Sequence, residues 1–487
     1  MRADAGVPDV IVALPKLACE TGASIVPAPA PEPTWYCARA DGTKHGPFAT
    51  LFPDGSPEIR GSYKDGALDG AWERHHALGT IVEQGTYVAG QKHGTWTQTS
   101  STGNALGSYE MKNGSGVEKR WYDDGPLYAE RALKTGVPHG MTKLYAREGY
   151  VIDSARYVNG KLDGAHAFGT KNTMRFEETF SMGVLTGARK IWHQGLLLAD
   201  ESYDKRGRQD GPYTSWRSPK IVRTQGEFTA GKRTGAWIWN DRDGKKEREG
   251  SYVNNKRDGE WNEYSDDKLV FTGTYTAGKP DGTFIYYKKD GTELGRFTMT
   301  DGTGTWLTFH GNGKPSSKQR MYKGNEDGVY QELTTRGKVV VEGRYSGGVK
   351  HGAWKELTPD GVLVLEQMYK RGKLDGAVKK YVDGKLASEA HYVDGRVEGA
   401  YAEYRLGKPA LTGQYAADVR TGTWTQYNAD GQVVRTATYK DGVLDGPWRE
   451  LVNGVVVEGQ LSAGRRTGTW TTTDKAGAVR KLTYGTP

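Results

Sequence analysis

Nineteen glycines recur along the chain at intervals of 22 to 24 residues, and most of them are followed two positions later by an aromatic residue. A period in this range is typical of a solenoid or of another array of small structural units. Such units bury surface against their neighbours, so a chain of 487 residues need not divide into several closed domains. We call these residues the marker glycines: Gly46, Gly70, Gly94, Gly116, Gly140, Gly164, Gly187, Gly211, Gly235, Gly259, Gly282, Gly304, Gly328, Gly352, Gly376, Gly399, Gly422, Gly446 and Gly468.

Composition and turn signals predict strands. The chain has 68 glycines, 28 tyrosines and 14 tryptophans, and glycine weakens helices whereas aromatic residues suit strands. Asp-Gly pairs between successive markers predict tight turns in which both central residues have positive φ. We therefore predict one β-hairpin per period, with the marker glycine in the second turn. The Asp-Gly pairs include Asp243-Gly244, Asp290-Gly291, Asp360-Gly361 and Asp430-Gly431.

The predicted fold is all-β: an elongated, twisted antiparallel sheet of about 19 stacked β-hairpins with a period of about 23 to 24 residues. Residues 39–487 form this array, and residues 1–38 form a proline-rich N-terminal segment. An open sheet of more than about ten strands normally curls or twists, so we expect a coiled ribbon. The residues predicted to hold the repeats together are Gly70, Trp72, Gly94, Trp96, Gly235, Trp237, Gly259, Trp261, Gly352, Trp354, Gly422, Trp424, Gly446, Trp448, Gly468 and Trp470.

Aromatic residues occupy two positions in each copy. One lies two places after the marker, as Trp96 does, and the other lies five places after it, as Trp121 and Tyr145 do. Alternation along a strand sends these positions to opposite faces unless a β-bulge intervenes. We therefore expect either aromatic side chains on both faces or a kink in each strand. The repeat frame is degraded around Gly116 and Gly140, where we expect a bend or irregular packing.

The cysteines of the chain, Cys19 and Cys37, predict a disulfide that closes a proline-rich loop. In the chain-entropy model such a bond is worth about 3 kcal/mol. It persists only in an oxidising compartment, which predicts an extracytoplasmic protein of the periplasm or cell envelope. Two free thiols, as in a cytoplasmic protein, and a lipidated Cys19 are the alternatives. The bracketed prolines are Pro27, Pro29, Pro31 and Pro33.

The N-terminal region contains no recognisable signal peptide, and the sequence contains no transmembrane segment. The strongest candidate for an apolar targeting segment near the N-terminus is the run Val10–Leu14, with Asp9 before it and Pro15 after it. This run is far shorter than the ~18 to 20 apolar residues that cross a bilayer. We therefore expect a soluble chain.

Charge is spread along the chain rather than gathered in one block. The net charge of +8 results from 67 basic and 59 acidic residues, which permits an anionic partner without requiring one. We expect no nucleic acid partner. One group of basic residues is a candidate edge for an anionic partner, although solvated residues that discourage edge aggregation are the favoured explanation. These residues lie two or three places before a marker: Arg208, Lys232, Arg233, Lys256, Arg257 and Lys279.

The residue before each marker is Asp, His or Thr in most copies, as in Asp69 and His93. Short side chains of this kind accept hydrogen bonds from backbone donors in turns, and a catalytic group would not recur in copy after copy. Glu73, His75 and His76 lie close together, but adjacent strand residues face opposite ways and no third zinc ligand is evident. We predict no catalytic residue, no metal site and no cofactor.

The frame Tyr63, Gly66, Asp69, Gly70 and Trp72 returns along the chain in one register. This Tyr-x-x-Gly-x-x-x-Gly-x-Trp pattern resembles the variant form of the membrane occupation and recognition nexus (MORN) repeat, over about residues 39–487. The resemblance implies an extended antiparallel sheet of stacked hairpins and a scaffold that binds proteins or anionic lipid. Bacterial variant forms are often labelled antitoxins. The tryptophan stands where the standard repeat has Gly-x-Gly, which weakens the implication of membrane binding.

The function that follows is a non-catalytic scaffold that presents a repeated β surface to a protein partner at the bacterial cell envelope. A cell-wall or glycan-binding array is one alternative, supported by the adjacent aromatic pairs Tyr286-Tyr287 and Trp121-Tyr122. An enzyme whose site lies in the N-terminal segment or in the irregular region from Gly103 to Gly149 is another. An antitoxin-type partner protein and an anionic-lipid binder are the remaining alternatives.

Overall fold

The computed structural model describes residues 16–28 and 33–485, and the chain forms two compact units, Met1–Gly244 and Lys245–Pro487. Every helix or strand among the described residues is a β-strand, and the strand pairs are antiparallel. The prediction of an all-β fold built from antiparallel hairpins is confirmed. The predicted run Val10–Leu14 and the prolines Pro29 and Pro31 lie outside the described residues.

The strands follow one another along the chain in both units. The first unit contains β1 (Ala23–Pro27), β2 (Thr34–Arg39), β3 (Lys44–Leu51), β4 (Pro57–Lys64), β5 (Ala67–Leu68), β6 (Gly70–His75), β7 (Ile81–Val88), β8 (Gln91–Thr99), β9 (Ala105–Lys112), β10 (Ser115–Trp121), β11 (Leu127–Lys134), β12 (Val137–Tyr145), β13 (Val151–Val158), β14 (Lys161–Gly169), β15 (Met174–Ser181), β16 (Val184–Leu185), β17 (Gly187–His193), β18 (Leu196–Tyr203), β19 (Gly211–Ser218), β20 (Ile221–Thr229) and β21 (Lys232–Asn240). The second unit contains β22 (Lys246–Val253), β23 (Lys256–Ser265), β24 (Lys268–Thr276), β25 (Lys279–Pro280), β26 (Gly282–Tyr287), β27 (Glu293–Thr300), β28 (Thr303–Phe309), β29 (Pro315–Tyr322), β30 (Asn325–Leu333), β31 (Val339–Ser346), β32 (Val349–Leu357), β33 (Leu363–Lys370), β34 (Lys373–Val382), β35 (Lys385–Val393), β36 (Arg396–Arg405), β37 (Lys408–Ala416), β38 (Val419–Tyr427), β39 (Val433–Lys440), β40 (Val443–Val452), β41 (Val455–Ser462), β42 (Arg465–Thr473) and β43 (Val479–Tyr484).

We predicted tight two-residue turns at the Asp-Gly pairs. They lie instead at the other end of the hairpins, just before the marker glycines. Asp301 and Gly302 both have positive φ, 45° and 72°, as a type I′ turn requires. At the predicted site, Gly291 has a φ of 86°, whereas Asp290 is not among the residues of positive φ. The prediction of positive φ at both residues of the Asp-Gly pairs is therefore wrong. A hydrogen bond from Lys288 N to the Thr292 carbonyl closes a longer loop, in which only the glycine must be left-handed.

The marker glycines lie within strands rather than in a turn, which corrects the second turn prediction. All nineteen have positive φ, between 61° and 158°. Around Gly94, Thr86 pairs with His93 and the next pair joins Gln84 to Thr97, so the register shifts at the glycine. The marker is thus the left-handed residue of a β-bulge, a position that glycine adopts without strain.

A second register shift separates the fourth and fifth residues after most markers, as between Leu144 and Tyr145. The fifth residue consequently points to either face. The ring of Trp121 lies against Gly107 on the face that carries Trp96, whereas the Tyr145 hydroxyl donates a 2.7 Å hydrogen bond to Glu130 on the other face. Both of the alternatives from the sequence, kinked strands and aromatic residues on both faces, therefore occur.

The core is a row of rings on one face of the hairpins, which we call the aromatic face. It carries the residue two places after each marker, and Trp96, Trp261 and Phe284 are at most 1% exposed there. A tyrosine nine residues earlier meets the tryptophan edge to face, as for Tyr252 and Trp261 at a centroid distance of 5.0 Å. The other side of the strands is the opposite face.

Backbone hydrogen bonds join each turn to the turn of the preceding copy. Gly90 N donates to the Leu68 carbonyl at 2.7 Å, and Gly442 N donates to the Arg420 carbonyl at 3.0 Å. The residue before the marker accepts a second bond, as when Asp69 Oδ2 accepts from Ala89 N at 3.0 Å. The sequence suggested that this side chain caps its own turn, but it caps the turn of the next copy.

Candidate functional site

Eight core rings on the aromatic face, among them most of the tryptophans that lie two places after a marker, pack on the bare backbone of a glycine eleven residues earlier. A Cβ atom on Gly226 would lie 2.2 Å from the ring of Trp237, and a Cβ on Gly343 would lie 2.1 Å from the ring of Trp354. The indole Nε1 of Trp354 donates a 3.2 Å hydrogen bond to the carbonyl of the following residue, Arg344. These glycines were missed in the sequence, although the regular Gly-Trp spacing could have revealed them. Others of the kind are Gly61, Gly85, Gly250, Gly273, Gly413 and Gly459.

The basic residue two places before a marker covers the outer side of the ring. Arg257 lies 4.4 Å from the centroid of Trp261, and Arg420 lies 4.1 Å from that of Trp424. These cations also approach the tyrosine of the following copy, as in the 3.2 Å hydrogen bond from Arg257 to the Tyr275 hydroxyl. A cation over an indole is attracted to the negative face of the ring, so these side chains belong to the packing between copies.

The six predicted edge residues therefore do not form one uniform basic line. Arg233 and Arg257 cover Trp rings, at 5.6 and 4.4 Å. Arg208 pairs with Asp204 at 2.7 Å, and Lys279 pairs with Asp301 at 2.7 Å. Lys232 and Lys256 are exposed. The anionic-partner hypothesis stays a prediction for these two lysines.

The stems of several of these residues also support turns. A Cβ atom added to Gly278, in the turn of the next copy, would lie 3.3 Å from the Cβ of Lys256. Val349 occupies the same place under the turn glycine Gly372. Both lysine and valine can occupy this position because the aliphatic stem of lysine packs while its charged end stays in water.

A buried ion-pair network in the first unit is centred on Lys92. Its Nζ donates to Glu83 at 3.2 Å, to the Tyr109 hydroxyl at 2.7 Å and to Glu118 at 2.8 Å. The same ammonium group lies 4.0 Å from the centroid of Trp96. The two carboxylate residues are only 3% and 7% exposed. All three ammonium protons are therefore used inside the protein.

Further charges complete this network. Arg74 pairs with Glu83 at 3.3 Å, and Arg120 approaches Glu118 at 3.6 Å. Burial alone would raise the pKa of Glu118, but the hydrogen bond and charge of Lys92, followed by the charge of Arg120, outweigh it and lower the pKa. Burial, reinforced by the two carboxylates, raises the pKa of Tyr87 to about 12. These shifts favour the charged form of Glu118 and the neutral form of Tyr87.

The network begins a stretch in which polar residues replace the core rings. The residues two places after four successive markers are Glu118, Thr142, His166 and Arg189. The sequence predicted irregular packing around the first two of these markers, Gly116 and Gly140. The polar stretch lies on the aromatic face, because these positions are equivalent to Trp96 and Trp237 in the neighbouring copies.

The later part of the stretch is a chain of alternating charges. Glu178, with a side chain 9% exposed, lies 3.6 Å from His166 Nδ1 and 3.0 Å from Arg189 Nε. Arg189 also approaches Glu201 at 3.7 Å, and Glu201 accepts a 2.6 Å hydrogen bond from the Tyr203 hydroxyl. Each charge is thus matched by a partner from an adjacent strand, which favours a packing role over general acid-base chemistry.

The opposite face carries small residues one place after most markers and, in about two thirds of the copies, polar residues three places after them. Cross-strand ion pairs join many of the longer residues, such as Lys355 with Glu366 at 3.4 Å and Lys379 with Glu389 at 3.3 Å. Ala353, one place after its marker, is exposed. Much of this face is therefore made of small residues and of charges that are paired across strands.

Two adjoining clefts deepen the opposite face in the first unit. One has a volume of about 540 Å³ and extends from Pro47 to Thr97, with Ala71 on its floor. The other has a volume of about 450 Å³ and shares Pro47, Arg60 and Gly61 with the first. Together they form a groove that crosses the strands from β3 to β8. We call it the N-terminal groove.

The disulfide between Cys19 and Cys37 is present, with the two Cα atoms 5.5 Å apart. It fixes the residues before β1 beside the N-terminal groove, where Leu17 and Ala18 line the second cleft. Strands β1 and β2 belong to the sheet, so the proline-rich segment contributes two strands of its own.

The described residues contain no group of three His, Cys, Asp or Glu side chains placed to hold a metal ion. Glu73 and His75 do meet, at 3.1 Å, while the other His75 nitrogen lies 3.3 Å from the Gly79 carbonyl. No helix in the part of the chain that the structure describes is long and apolar enough to cross a membrane.

Comparison with known proteins gives one family. The family described as MORN repeat variant matches residues 233–254 and 420–441. No curated protein matches the chain in sequence.

Solved structures give only distant likenesses. The Tc holotoxin pore of Photorhabdus luminescens shares 10% identity over 90% of this chain and 27% of that chain, with a TM-score of 0.13. A europium-containing methanol dehydrogenase shares 14% identity over 88% of this chain and 81% of that chain, with a TM-score of 0.14. The chain spans 27% of the toxin chain, and scores this low support no inference about this protein.

Both family matches begin two places before a marker, at Arg233 and Arg420, with the cation, marker glycine and tryptophan in the positions described above. The same arrangement recurs in one register along the hairpins of both units. The two matched segments are therefore copies of the MORN repeat variant.

Proposed function

We propose that the protein is a non-catalytic scaffold that binds a partner protein through the opposite face of its hairpins, outside the cytoplasm at the cell envelope. The observation that carries this proposal is the asymmetry between the two faces. Rings, cations and carboxylates of the aromatic face are consumed by packing between copies, whereas the opposite face leaves small residues such as Ala71 and Ala353 exposed. A repeated surface of this kind favours many shallow contacts with an extended partner.

The disulfide supports the proposed location. A bond between Cys19 and Cys37 is maintained in an oxidising compartment and is rare in the cytoplasm. The absence of catalysis is part of the proposal and rests on the internal pairing of the charged clusters. Lys92 has its three donors engaged, and Arg189 lies between two carboxylates.

The test is capture of a partner by the immobilised, disulfide-bonded chain from envelope extracts and, separately, from cytoplasmic extracts. A variant with Ala188→Arg, Ala353→Arg and Thr423→Arg places long cations on the opposite face in both units. We expect a partner from the envelope extract whose affinity for this variant is at least about tenfold weaker. The control is Leu78→Arg with Leu406→Arg, at loop residues that are 84% and 87% exposed.

Two results would contradict the proposal. A partner that binds wild type and the opposite-face variant equally would exclude this face as the binding surface. Retention by anionic lipid vesicles, abolished by Lys232→Glu and Lys256→Glu, in the absence of any protein partner would favour the lipid-binding alternative instead.

A further inference from the structure

The N-terminal groove already holds a stretch of polypeptide at one end. Leu17 and Ala18, in no helix or strand, line it together with Pro47, Ala49 and Leu51. Ala49 and Leu51 are each only 3% exposed. Glu73 occupies the position equivalent to Ala49 in the next copy, three places after the marker, and its side chain is 30% exposed. We attribute the difference to the cover that the N-terminal segment provides.

The groove continues beyond this covered end. Its floor is formed by small residues, including Gly61 and Ala71, and Ala71 is exposed. Thr86 and Thr95 line it, and the Thr95 hydroxyl donates a hydrogen bond to Glu110, which leaves its oxygen as an acceptor for a peptide N–H. Five strands cross beneath it at about 4.8 Å each, so it has the length of about six extended residues.

The groove has little net charge. Arg60 and Glu73 both line it, and the two side chains approach each other at 3.8 Å. A charged segment would therefore find no excess of opposite charge. Because the floor is made of small residues, an extended peptide backbone can lie close to the strands.

We propose that the uncovered part of the N-terminal groove, over Ala71, Thr86 and Thr95, binds an extended segment of a partner polypeptide with small, uncharged side chains. The segment continues along the groove from the cleft that Leu17 and Ala18 line. Its backbone groups form hydrogen bonds with the hydroxyls of the groove. This inference rests on the proposed scaffold function and assigns one contact site for the partner protein.

The test uses a library of random peptides selected on the intact, disulfide-bonded chain. Enriched peptides are labelled, and their affinities are measured by fluorescence anisotropy for wild type, Ala71→Arg and Thr95→Arg. We expect both groove variants to bind at least about tenfold more weakly. The controls are Leu78→Arg and Leu406→Arg, at loop residues that are 84% and 87% exposed and lie outside the groove; they should bind as wild type does.

A second measurement does not depend on the variants folding. Hydrogen exchange of wild type with and without the enriched peptide should show added protection in β6, β7 and β8 and none in β38. Protection elsewhere, or equal affinity for wild type and Ala71→Arg, overturns the proposal. Peptide binding that requires removal of the residues before Lys16 would make the chain itself the occupant and also overturns it.

Binding of oligosaccharides, measured on a glycan array, is the remaining test. If the chain binds glycans in place of peptides, and Ala71→Arg abolishes that binding, the groove is a glycan site and the proposal fails. An envelope partner that Ala71→Arg still captures fully would overturn this assignment of the groove while leaving the scaffold function in place.

Discussion

Lys92 and Glu118, which belong to different copies of the repeat, form a 2.8 Å ion pair beneath the surface of the aromatic face. The lysine comes two places before the marker Gly94, where other copies place a cation over a ring and beside the tyrosine of the following copy. Here the ring row stops, and the same cation is used to neutralise two carboxylates. One repeat position thus serves two kinds of packing.

Replacement of this lysine should therefore be far more damaging than replacement of its equivalents. Lys92→Met leaves Glu83 and Glu118 buried without their shared cation, and we expect a loss of about 3 to 5 kcal/mol in the free energy of unfolding. Lys350→Met removes a similar contact, 4.1 Å from the centroid of Trp354, and should cost about 0.5 to 2 kcal/mol. Urea unfolding of both variants measures the difference. Similar losses would show that the buried carboxylates do not depend on Lys92.

Acid should weaken the same network. The folded-state pKa of Glu118 is lowered from 4.5, so its contribution is complete above that value and is lost as the pH falls through the lowered pKa. We expect Glu118→Gln to be less stable than wild type at neutral pH, and the gap to narrow progressively below pH 4.5. Unfolding midpoints measured across this range provide the test. Glu148→Gln, at an exposed loop position, should run parallel to wild type throughout.

The glycine beneath each ring gives a prediction about packing. Gly343→Ala would place a Cβ 2.1 Å from Trp354, so the ring must move, and we expect a loss of about 1 to 3 kcal/mol in the free energy of unfolding. The control is Gly311→Ala, because nothing lies within 4 Å of a Cβ there and its φ is not positive. The double variant Gly343→Ala, Trp354→Leu should lose less free energy of unfolding than the sum of the two single variants. Additive losses in the double variant would show that the two residues do not interact.

The repeat register was readable in the sequence because it depends on local spacing. The marker glycines were recognised as residues that need positive φ. A bulge and a turn both select glycine for this reason, so the sequence did not show that the markers lie within strands. The glycines beneath the rings were available as a fixed spacing, as from Gly343 to Trp354. The Lys92 network could not be foreseen, because Glu83 and Glu118 meet only after strands β7, β8 and β10 are aligned.

The side chain before the marker should stabilise the turn of the next copy. Asp258 Oδ1 accepts a 3.0 Å hydrogen bond from Ala277 N, so Asp258→Ala should cost about 0.5 to 1.5 kcal/mol and speed hydrogen exchange at that amide. Asp258→Asn keeps an accepting oxygen and should retain most of the protection. Faster exchange confined to the turn before Asp258 would instead support a cap within the same copy.

The disulfide should hold the N-terminal segment against the groove rather than hold the whole unit together. The bond closes a separation of 18 residues, and the chain-entropy model assigns such a loop about 3 kcal/mol. In a Cys19→Ser, Cys37→Ser variant we expect faster hydrogen exchange in β1, β2 and β3, because Leu17 and Ala18 leave the cleft that buries Ala49 and Leu51. Exchange in β8 and β9, where Trp96 and Tyr109 pack, should be unchanged and serves as the internal control. Uniform loss of protection across the first unit would mean that the bond supports the array itself, and unchanged protection in β3 would mean that the segment stays in place without it.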